Sequence, residues 1–314
     1  MIEKYLDAPW LIYKKEKQDQ FSRLVARPLV SSAMRWALGH ITGSNETPFL
    51  AVPSGYNLTT VESGKVNAYL FEPKDFNVEQ IGENDKIVLY FHGGGFYGGG
   101  GLYSKFSASQ IVRQLNISAL SVDYRLAPEH PYPAALEDAL AGYKKLLSWG
   151  YSPKNIILSG DSSGGNLSLS LPHKLRELDM PFPGAIVVFS PAADLVYSSD
   201  KFEGSKDPII PLSTIKKVLT SYTTKENYAD PCVSPVNGNL DDYPPTYICV
   251  DEDEILLAGA LEMADNLHKA GGTVLVHVSH NLYHVFPIIT PMLPESKNVY
   301  KEILDFLKKT MSFD

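Results

Sequence analysis

Short runs of apolar and β-branched residues alternate with longer segments of helical periodicity from about residue 65 onward. The short runs are bounded by Gly, Pro, Asn or Asp, as the ends of strands usually are. This alternation predicts an α/β fold in which helices cover both faces of a mostly parallel central sheet. The predicted strands are residues 65–71, 86–91, 118–123, 155–159, 185–190, 246–251 and 273–278, and the predicted helices are residues 104–115, 133–149, 163–178, 256–270 and 296–309.

Two stretches do not follow the alternation. Residues 1–45 have the pattern of amphipathic helices around Trp10 and Trp36, and residues 198–228 contain a helical pattern at 213–222. Extra helices on one side of a sheet either extend the core or cover a binding site. We interpret both stretches as elements of a helical cap over the site.

Composition and charge narrow the class of protein. The 314 residues carry a formal net charge of −8, and no run of Lys or Arg provides the cationic face that nucleic acid or an anionic membrane requires. The N-terminus lacks the uninterrupted apolar stretch of a signal peptide, and nowhere do about eighteen apolar residues run together. Cys232 and Cys249 are too few for a disulfide framework. We therefore expect a cytoplasmic protein whose partner is neither nucleic acid nor a membrane.

A serine flanked by glycines follows one of the predicted strands. The segment GDSSGG occupies residues 160–165, after the strand at 155–159 and before a predicted helix. This is the G-x-S-x-G pattern in the strand–turn–helix context in which a sharp turn exposes the serine hydroxyl above the sheet edge. The pattern alone arises often by chance, and its flanking strand and helix make it specific. Ser162 is therefore the candidate nucleophile.

A second glycine-rich segment, HGGGF, occupies residues 92–96 directly after the strand at 86–91. Glycine amides can approach a carbonyl oxygen closely and stabilise the oxyanion that forms during acyl transfer. A flexible turn is the alternative interpretation, and the further glycines at 98–101 are consistent with it. A phosphate-binding loop is disfavoured because the G-K-[ST] ending is absent.

An acid and a base follow the serine in chain order. The acidic cluster at residues 251–254 lies at the end of a predicted strand, and His280 and His284 follow the next strand. The order Ser, acid, His is the one expected of a catalytic triad on this kind of sheet. His277, His280 and His284 together could also suggest metal ligands, but no HExxH helix accompanies them and His277 lies within a predicted strand. We expect no metal and no other cofactor.

Taken together, these segments resemble the hormone-sensitive-lipase-like family of α/β-hydrolases, which includes many microbial carboxylesterases. The resemblance extends from about residue 65 to the C-terminus and depends on the joint occurrence of several motifs in order. It implies an α/β-hydrolase fold with a helical cap, as a single domain over residues 1–314. The four blocks that carry the resemblance are residues 92–95, 123–129, 160–165 and 230–235.

The resemblance also assigns roles to individual residues. It implies Ser162 as the nucleophile. It implies His284 as the base in preference to His280, because residues 283–286 resemble the H-x-F ending of the family. Counting back from Leu256 and Gly259 places the acid at Asp253, with Asp251 as the alternative because the acidic cluster leaves the register open. The implied oxyanion donors are the backbone amides of Gly93, Gly94, Gly95 and Ser163.

The activity implied by the resemblance is hydrolysis of short carboxylic esters through an acyl-enzyme, with acyl chains of roughly two to eight carbons. An amidase, a peptidase or a sugar-ester deacetylase would use the same triad, so these activities remain alternatives. A binding protein without catalysis is another alternative, although receptors that resemble this family typically lack the base. Family members often pair through the edge of the sheet, so a homodimer is also compatible with the resemblance.

Overall fold

The computed structural model describes residues 1–13, 52–75, 81–196 and 205–311. Nine strands form one sheet in the order β1-β9-β8-β7-β6-β4-β5-β3-β2. The pairings of β2 with β3 and of β3 with β5 are antiparallel, and the other six pairings in the described sheet are parallel. The predicted fold class is therefore confirmed. The strands are β1 (Leu11–Tyr13), β2 (Tyr56–Ser63), β3 (Val66–Pro73), β4 (Ile87–Phe91), β5 (Ser118–Val122), β6 (Ile156–Asp161), β7 (Ala185–Phe189), β8 (Thr246–Asp251) and β9 (Val274–Ser279).

Helices cover both faces of this sheet, and the strand sequences explain why. Strands β4 to β8 are buried along their whole length, and successive side chains enter opposite cores: Leu89 belongs to one hydrophobic cluster and Tyr90 to the other. The first cluster includes residues of the helices Ala134–Trp149, Ser163–Glu177 and Leu257–Lys269, and the second includes residues of the helices Leu102–Leu115 and Pro294–Thr310. The helices are α1 (Leu102–Leu115), α2 (Ala134–Trp149), α3 (Ser163–Glu177), α4 (Leu212–Tyr222), α5 (Leu257–Lys269), α6 (Phe286–Ile289) and α7 (Pro294–Thr310).

The order of the strands determines where a site can form. Strand β4 pairs with β5 on one side and with β6 on the other, so the chain reverses its direction of travel across the sheet at β4. Ligands of open α/β sheets bind at such a point, beyond the carboxyl ends of the strands. The glycine segment after β4 and the serine turn after β6 both lie at this edge.

The N-terminal segment differs from its prediction. Residues 1–45 were expected to form helices of the cap, but Leu11–Tyr13 form an edge strand parallel to β9, and Trp10 is buried in the first core. Pairing with β9 gives the backbone groups of this short run hydrogen-bond partners along one side. The remaining predicted cap residues of this stretch, 14–45, lie outside the described residues.

The second cap stretch agrees better with its prediction. Its helical pattern at 213–222 corresponds to helix α4, while residues 197–204 lie outside the described part of the chain. Strand β2 was not predicted, because polar threonines and asparagine interrupt its apolar positions. Within the described residues, no helix has the length and apolar character needed to cross a membrane. Cys232 and Cys249 are buried free thiols.

Candidate active site

The serine turn has the backbone of a strained strand-to-helix junction. Ser162 lies between β6 and α3 with φ 55° and ψ −117°, a positive φ that a residue with a Cβ rarely adopts. Its amide donates to the carbonyl of Phe189 at 2.9 Å, and its carbonyl accepts the amide of Asn166 at 3.1 Å. These bonds hold the turn in place, so the side chain of Ser162 is directed into the cavity that it lines.

The two outer glycines of the motif are required by the packing around this turn. A Cβ on Gly164 would lie 1.9 Å from the carbonyl oxygen of Phe91, and a Cβ on Gly160 would lie 2.4 Å from the carbonyl oxygen of Gly164. Both distances are far below van der Waals contact, and the obstructing atoms belong to the backbone. The glycines therefore let α3 begin directly against the end of β4, next to the glycine segment.

The base is paired with a buried carboxylate. Nδ1 of His284 lies 2.6 Å from Oε2 of Glu254, and both side chains are almost completely buried. Because the carboxylate accepts a hydrogen bond from Nδ1–H, Nε2 is left as the ring nitrogen that can accept a proton from a nucleophile. Oε1 of Glu254 also accepts the Ser190 hydroxyl at 2.8 Å and the Asp251 amide at 2.7 Å, which fixes the carboxylate.

This pairing corrects the predicted acid. The structure places Glu254 against His284, and not Asp253 or the alternative Asp251. The strand ends at Asp251, and the following turn directs the longer side chain of Glu254 into the site. The backbone carbonyl of Asp253 instead accepts the amide of Lys206 at 3.2 Å, and its side chain lies outside the cavity lining.

Asp251 has a structural task in the same region. Its Oδ2 accepts the hydroxyl of Ser279 at 2.7 Å and the amide of Leu282 at 2.8 Å. Burial raises the pKa of Asp251 to about 7, although the hydrogen bond from Ser279 opposes this shift. The carboxyl group thus ties the end of β8 to the loop that leads to His284.

The electrostatic environment of His284 favours its protonated form. Burial alone lowers the pKa of the imidazole, but the carboxylate of Glu254 raises it, with smaller contributions from Asp207 and Asp161. The net result is a pKa above the ordinary value of 6.5. An imidazole in this setting is a stronger base than a free histidine, and its cation is stabilised once formed.

The glycine segment supplies amides with different tasks. The amide of Gly93 donates to Oδ1 of Asp161 at 2.9 Å, so the prediction of Gly93 as an oxyanion donor is corrected: this amide anchors the loop. Gly94 and Gly95 have positive φ of 123° and 64° and line the cavity beside Ser162. Ser163 is the first residue of α3, where amides have no acceptor within the helix. Gly94, Gly95 and Ser163, three of the four predicted donors, therefore line the same cavity as Ser162.

Buried polar groups brace this loop from below. Asp161 accepts the hydroxyls of Tyr90 at 2.6 Å and Tyr103 at 2.7 Å, in addition to the Gly93 amide. Burial raises the pKa of Asp161, and these hydrogen bonds to the carboxylate oppose the shift. His92 stacks on Tyr124 with ring centroids 4.1 Å apart, and the Tyr124 hydroxyl donates to the His92 carbonyl at 2.6 Å. His92 is therefore a support of the loop.

The three histidines that suggested metal ligation do not converge. His277 pairs with Glu302 at 2.9 Å, His280 pairs with Glu252, and His284 pairs with Glu254. A different group brings one ligand atom each of Asp207, Glu254 and His284 within 4.8 Å of one another. Its donors already have protein partners, since Nδ1 of His284 bonds to Glu254 and the Asp207 carboxylate accepts three backbone amides. This group is better described as two carboxylates facing one imidazole.

A cavity of about 260 Å³ brings the parts together. Ser162, His284 and the amide-bearing residues of the glycine segment all line it. Helix α4 forms one wall, as expected of a cap element, and the remaining surface is mainly apolar. A volume of this size is at the small end for ligand pockets. The apolar lining includes Phe96, Tyr97, Phe106, Leu195, Ile210, Ile215, Val218, Leu219, Leu256, Val285 and Ile289.

Comparisons with known proteins agree with this geometry. A model of the alpha/beta hydrolase fold family matches residues 88–288, which include Ser162, Glu254 and His284. An esterase of Acinetobacter venetianus is 30% identical over 224 residues, covering 70% of this chain and 74% of that protein. An acetyl-hydrolase of Streptomyces hygroscopicus is 30% identical over 228 residues, covering 72% of this chain and 76% of that protein.

Solved structures extend the similarity beyond the matched core. The crystal structure of an esterase from the bacterial hormone-sensitive lipase family has a TM-score of 0.78 and 28% sequence identity to this chain. The alignment covers 90% of this chain and 97% of the solved esterase chain. The likeness therefore includes nearly all of the solved esterase.

Proposed function

This chain belongs to the α/β-hydrolase family and is an esterase, and from that premise we propose that it hydrolyses short-chain carboxylic esters with Ser162 as nucleophile, His284 as base and Glu254 as acid. The observation that supports the proposal is the buried His284–Glu254 pair, 2.6 Å apart, whose imidazole lines the same cavity as Ser162.

The proposed reaction begins with attack of the Ser162 hydroxyl on the ester carbonyl carbon. Nε2 of His284 removes the hydroxyl proton, and the carboxylate of Glu254 stabilises the imidazolium that forms. The tetrahedral intermediate then collapses: the bond to the alcohol oxygen breaks, and His284 returns its proton to the alcohol. Water, deprotonated by the same imidazole, then attacks the carbonyl carbon of the acyl-enzyme. The bond to Oγ of Ser162 breaks, His284 returns its proton to Oγ, and the carboxylic acid product is released.

The oxyanion of each tetrahedral intermediate needs donors that are in place beforehand. We assign this role to the backbone amides of Gly94, Gly95 and Ser163, because these residues line the same cavity as Ser162. The N-terminus of α3 adds a favourable dipole at the same position. Loss of one such donor typically lowers the rate by about a hundred- to a thousand-fold.

The size of the cavity supports a preference for small acyl groups. About 260 Å³ of mainly apolar space is sufficient for a short acyl chain. The acetyl-hydrolase among the relatives is consistent with this preference. We therefore expect activity to be greatest for acyl chains of roughly two to eight carbons.

A panel of p-nitrophenyl esters tests the proposal, with the wild type and Ser162→Ala assayed side by side. Removal of a triad nucleophile can lower kcat by about a million-fold, so the variant should lose measurable turnover. Ser168→Ala, six residues further along the chain and within α3, is the matched control and should retain activity. Near-wild-type turnover by Ser162→Ala would refute the nucleophile, and a maximum beyond about twelve carbons would refute the substrate size. Faster turnover of matched amides than of esters would favour an amidase.

A further inference from the structure

The segment that leads into the cap helix is attached to the loop that carries the triad acid. The amide of Lys206 and the hydroxyl of Ser205 both donate to the carbonyl of Asp253, at 3.2 Å and 3.1 Å. One residue further, Oδ2 of Asp207 accepts the amide of Ile255 at 3.2 Å. Residues 205–207 therefore hold the acid loop on both sides of Glu254.

The second oxygen of Asp207 shapes the approach to the cavity. Oδ1 accepts the amides of Ile209 and Ile210 at 2.8 Å and 2.9 Å, which bends the chain immediately before helix α4. Ile210 lines the cavity, and so do Ile215 and Val218 on the helix. One carboxylate thus connects the cap wall to the acid loop.

Asp207 also faces the base itself. One of its carboxylate oxygens, one of Glu254 and one ring nitrogen of His284 all lie within 4.8 Å of one another. We propose that Asp207 is a positioning residue of the triad, whose carboxylate holds the acid loop against His284 and places a second negative charge beside the imidazole. This inference rests on the proposed function, since it gives His284 the role of the base.

The charged groups around the imidazole come from three elements. Glu254 approaches from the loop after β8, Asp207 from the segment before α4, and Asp161 from the end of β6. All three favour the imidazolium over the neutral ring, whereas burial opposes it, and the pKa of His284 is raised overall. Asp207 therefore strengthens the base at neutral pH but also moves the acidic limit of activity to higher pH.

The test is the pH dependence of kcat/KM in Asp207→Asn, with Asp207→Glu and Asp253→Asn alongside. Removing the charge of Asp207 should move the acidic limb of the profile down by about one pH unit. The plateau should fall by about tenfold, because the imidazolium of the transition state loses part of its stabilisation. Asp207→Glu keeps the charge and should retain the wild-type limb. Asp253→Asn removes a carboxylate from the same loop but away from the cavity and should also retain it.

A second measurement does not depend on catalysis. In protein labelled with ¹⁵N-histidine, and with the His284 signals assigned by His284→Gln, titration of the ring nitrogens gives the pKa of the base directly. The proposal predicts a lower pKa of His284 in Asp207→Asn than in the wild type. An unchanged pKa with a reduced plateau would overturn the electrostatic role and leave only support of the loop. A wild-type enzyme without esterase activity but with the predicted change in pKa would refute the function and not the placement.

Discussion

Replacing Glu254 by Gln tests the identity of the triad acid, which the acidic cluster at 251–254 leaves open in the sequence. The variant keeps the shape of the side chain but replaces a charged acceptor by an amide. The amide oxygen can still accept the Ser190 hydroxyl and the Asp251 amide, which leaves the NH₂ group facing Nδ1 of His284. An amide N–H there stabilises the tautomer that carries its proton on Nε2, which cannot act as the base.

The size of the effect follows from the geometry. An imidazolium and a carboxylate whose charges lie about 4 Å apart interact by about 4 kcal/mol at an effective dielectric constant of about 20. Loss of that stabilisation in the transition state corresponds to about a thousand-fold in rate. The unfavourable tautomer adds to this loss, and a comparable acid-to-amide change in a serine protease lowers kcat about 10⁴-fold. We therefore expect kcat/KM of Glu254→Gln to fall by about 10³ to 10⁴.

The assay is the initial rate of p-nitrophenyl butyrate hydrolysis at the pH optimum, with thermal unfolding measured in parallel to exclude misfolding. Asp253→Asn is the matched control, because it neutralises the neighbouring acid, and its rate should stay within about twofold of the wild type. If Asp253→Asn lost a thousand-fold while Glu254→Gln stayed near the wild type, the assignment of the acid from this structure would be wrong.

Two further predictions follow from the same site. Gly164→Ala should lower the free energy of unfolding by about 3 kcal/mol, and Tm by roughly 5–10 °C, because the added Cβ would lie 1.9 Å from the carbonyl oxygen of Phe91. Gly82→Ala is the control, because the nearest atom to its added Cβ is 3.4 Å away. Equal Tm values for the two variants would contradict this reasoning. The acidic limb of kcat/KM in the wild type should have its midpoint above pH 6.5, since the base must be neutral and the pKa of His284 is raised; a midpoint below pH 6.5 would mean that burial outweighs the surrounding carboxylates.

The serine turn could be predicted from the sequence because its chemistry is local. Gly160 and Gly164 stand where any Cβ would strike backbone, and the strand and helix on either side are visible as patterns. The central strands were predictable for a similar reason, because both of their faces are buried and they appear as short apolar runs.

The residue that pairs with His284 could not be identified from local sequence patterns. All four residues at 251–254 carry a carboxylate, and only the turn after β8 decides which of these side chains reaches His284. One signal was available: Glu254 is followed by the apolar run at 255–257, as expected of an acid entering a buried environment. No pattern in the sequence indicates the hydrogen bond from Gly93 to Asp161, because the two residues are 68 positions apart in the chain.

Short and exposed strands could not be predicted from the sequence either. Leu11–Tyr13 pair with β9 across more than 260 residues of chain, and three residues carry too little periodicity to distinguish a strand from a helix turn.

The role of Ser190 could not be predicted either, because a single serine after a strand belongs to no motif. Its hydroxyl donates to Glu254 and accepts the amide of Val285, and so joins the acid and base loops.

The ring of Phe96, next to the glycine segment, stacks on Tyr222 at the last residue of helix α4, with centroids 3.6 Å apart and planes 7° from parallel. The stacked rings therefore connect helix α4, which lines the cavity, to the segment whose amides we propose to stabilise the oxyanion. Substitutions that enlarge the cavity by shifting α4 will also disturb those amides, so a broader range of accepted esters should come with slower turnover. Enlargement by trimming single side chains, such as Ile215 or Val218, avoids that trade-off because the stacked rings stay in place.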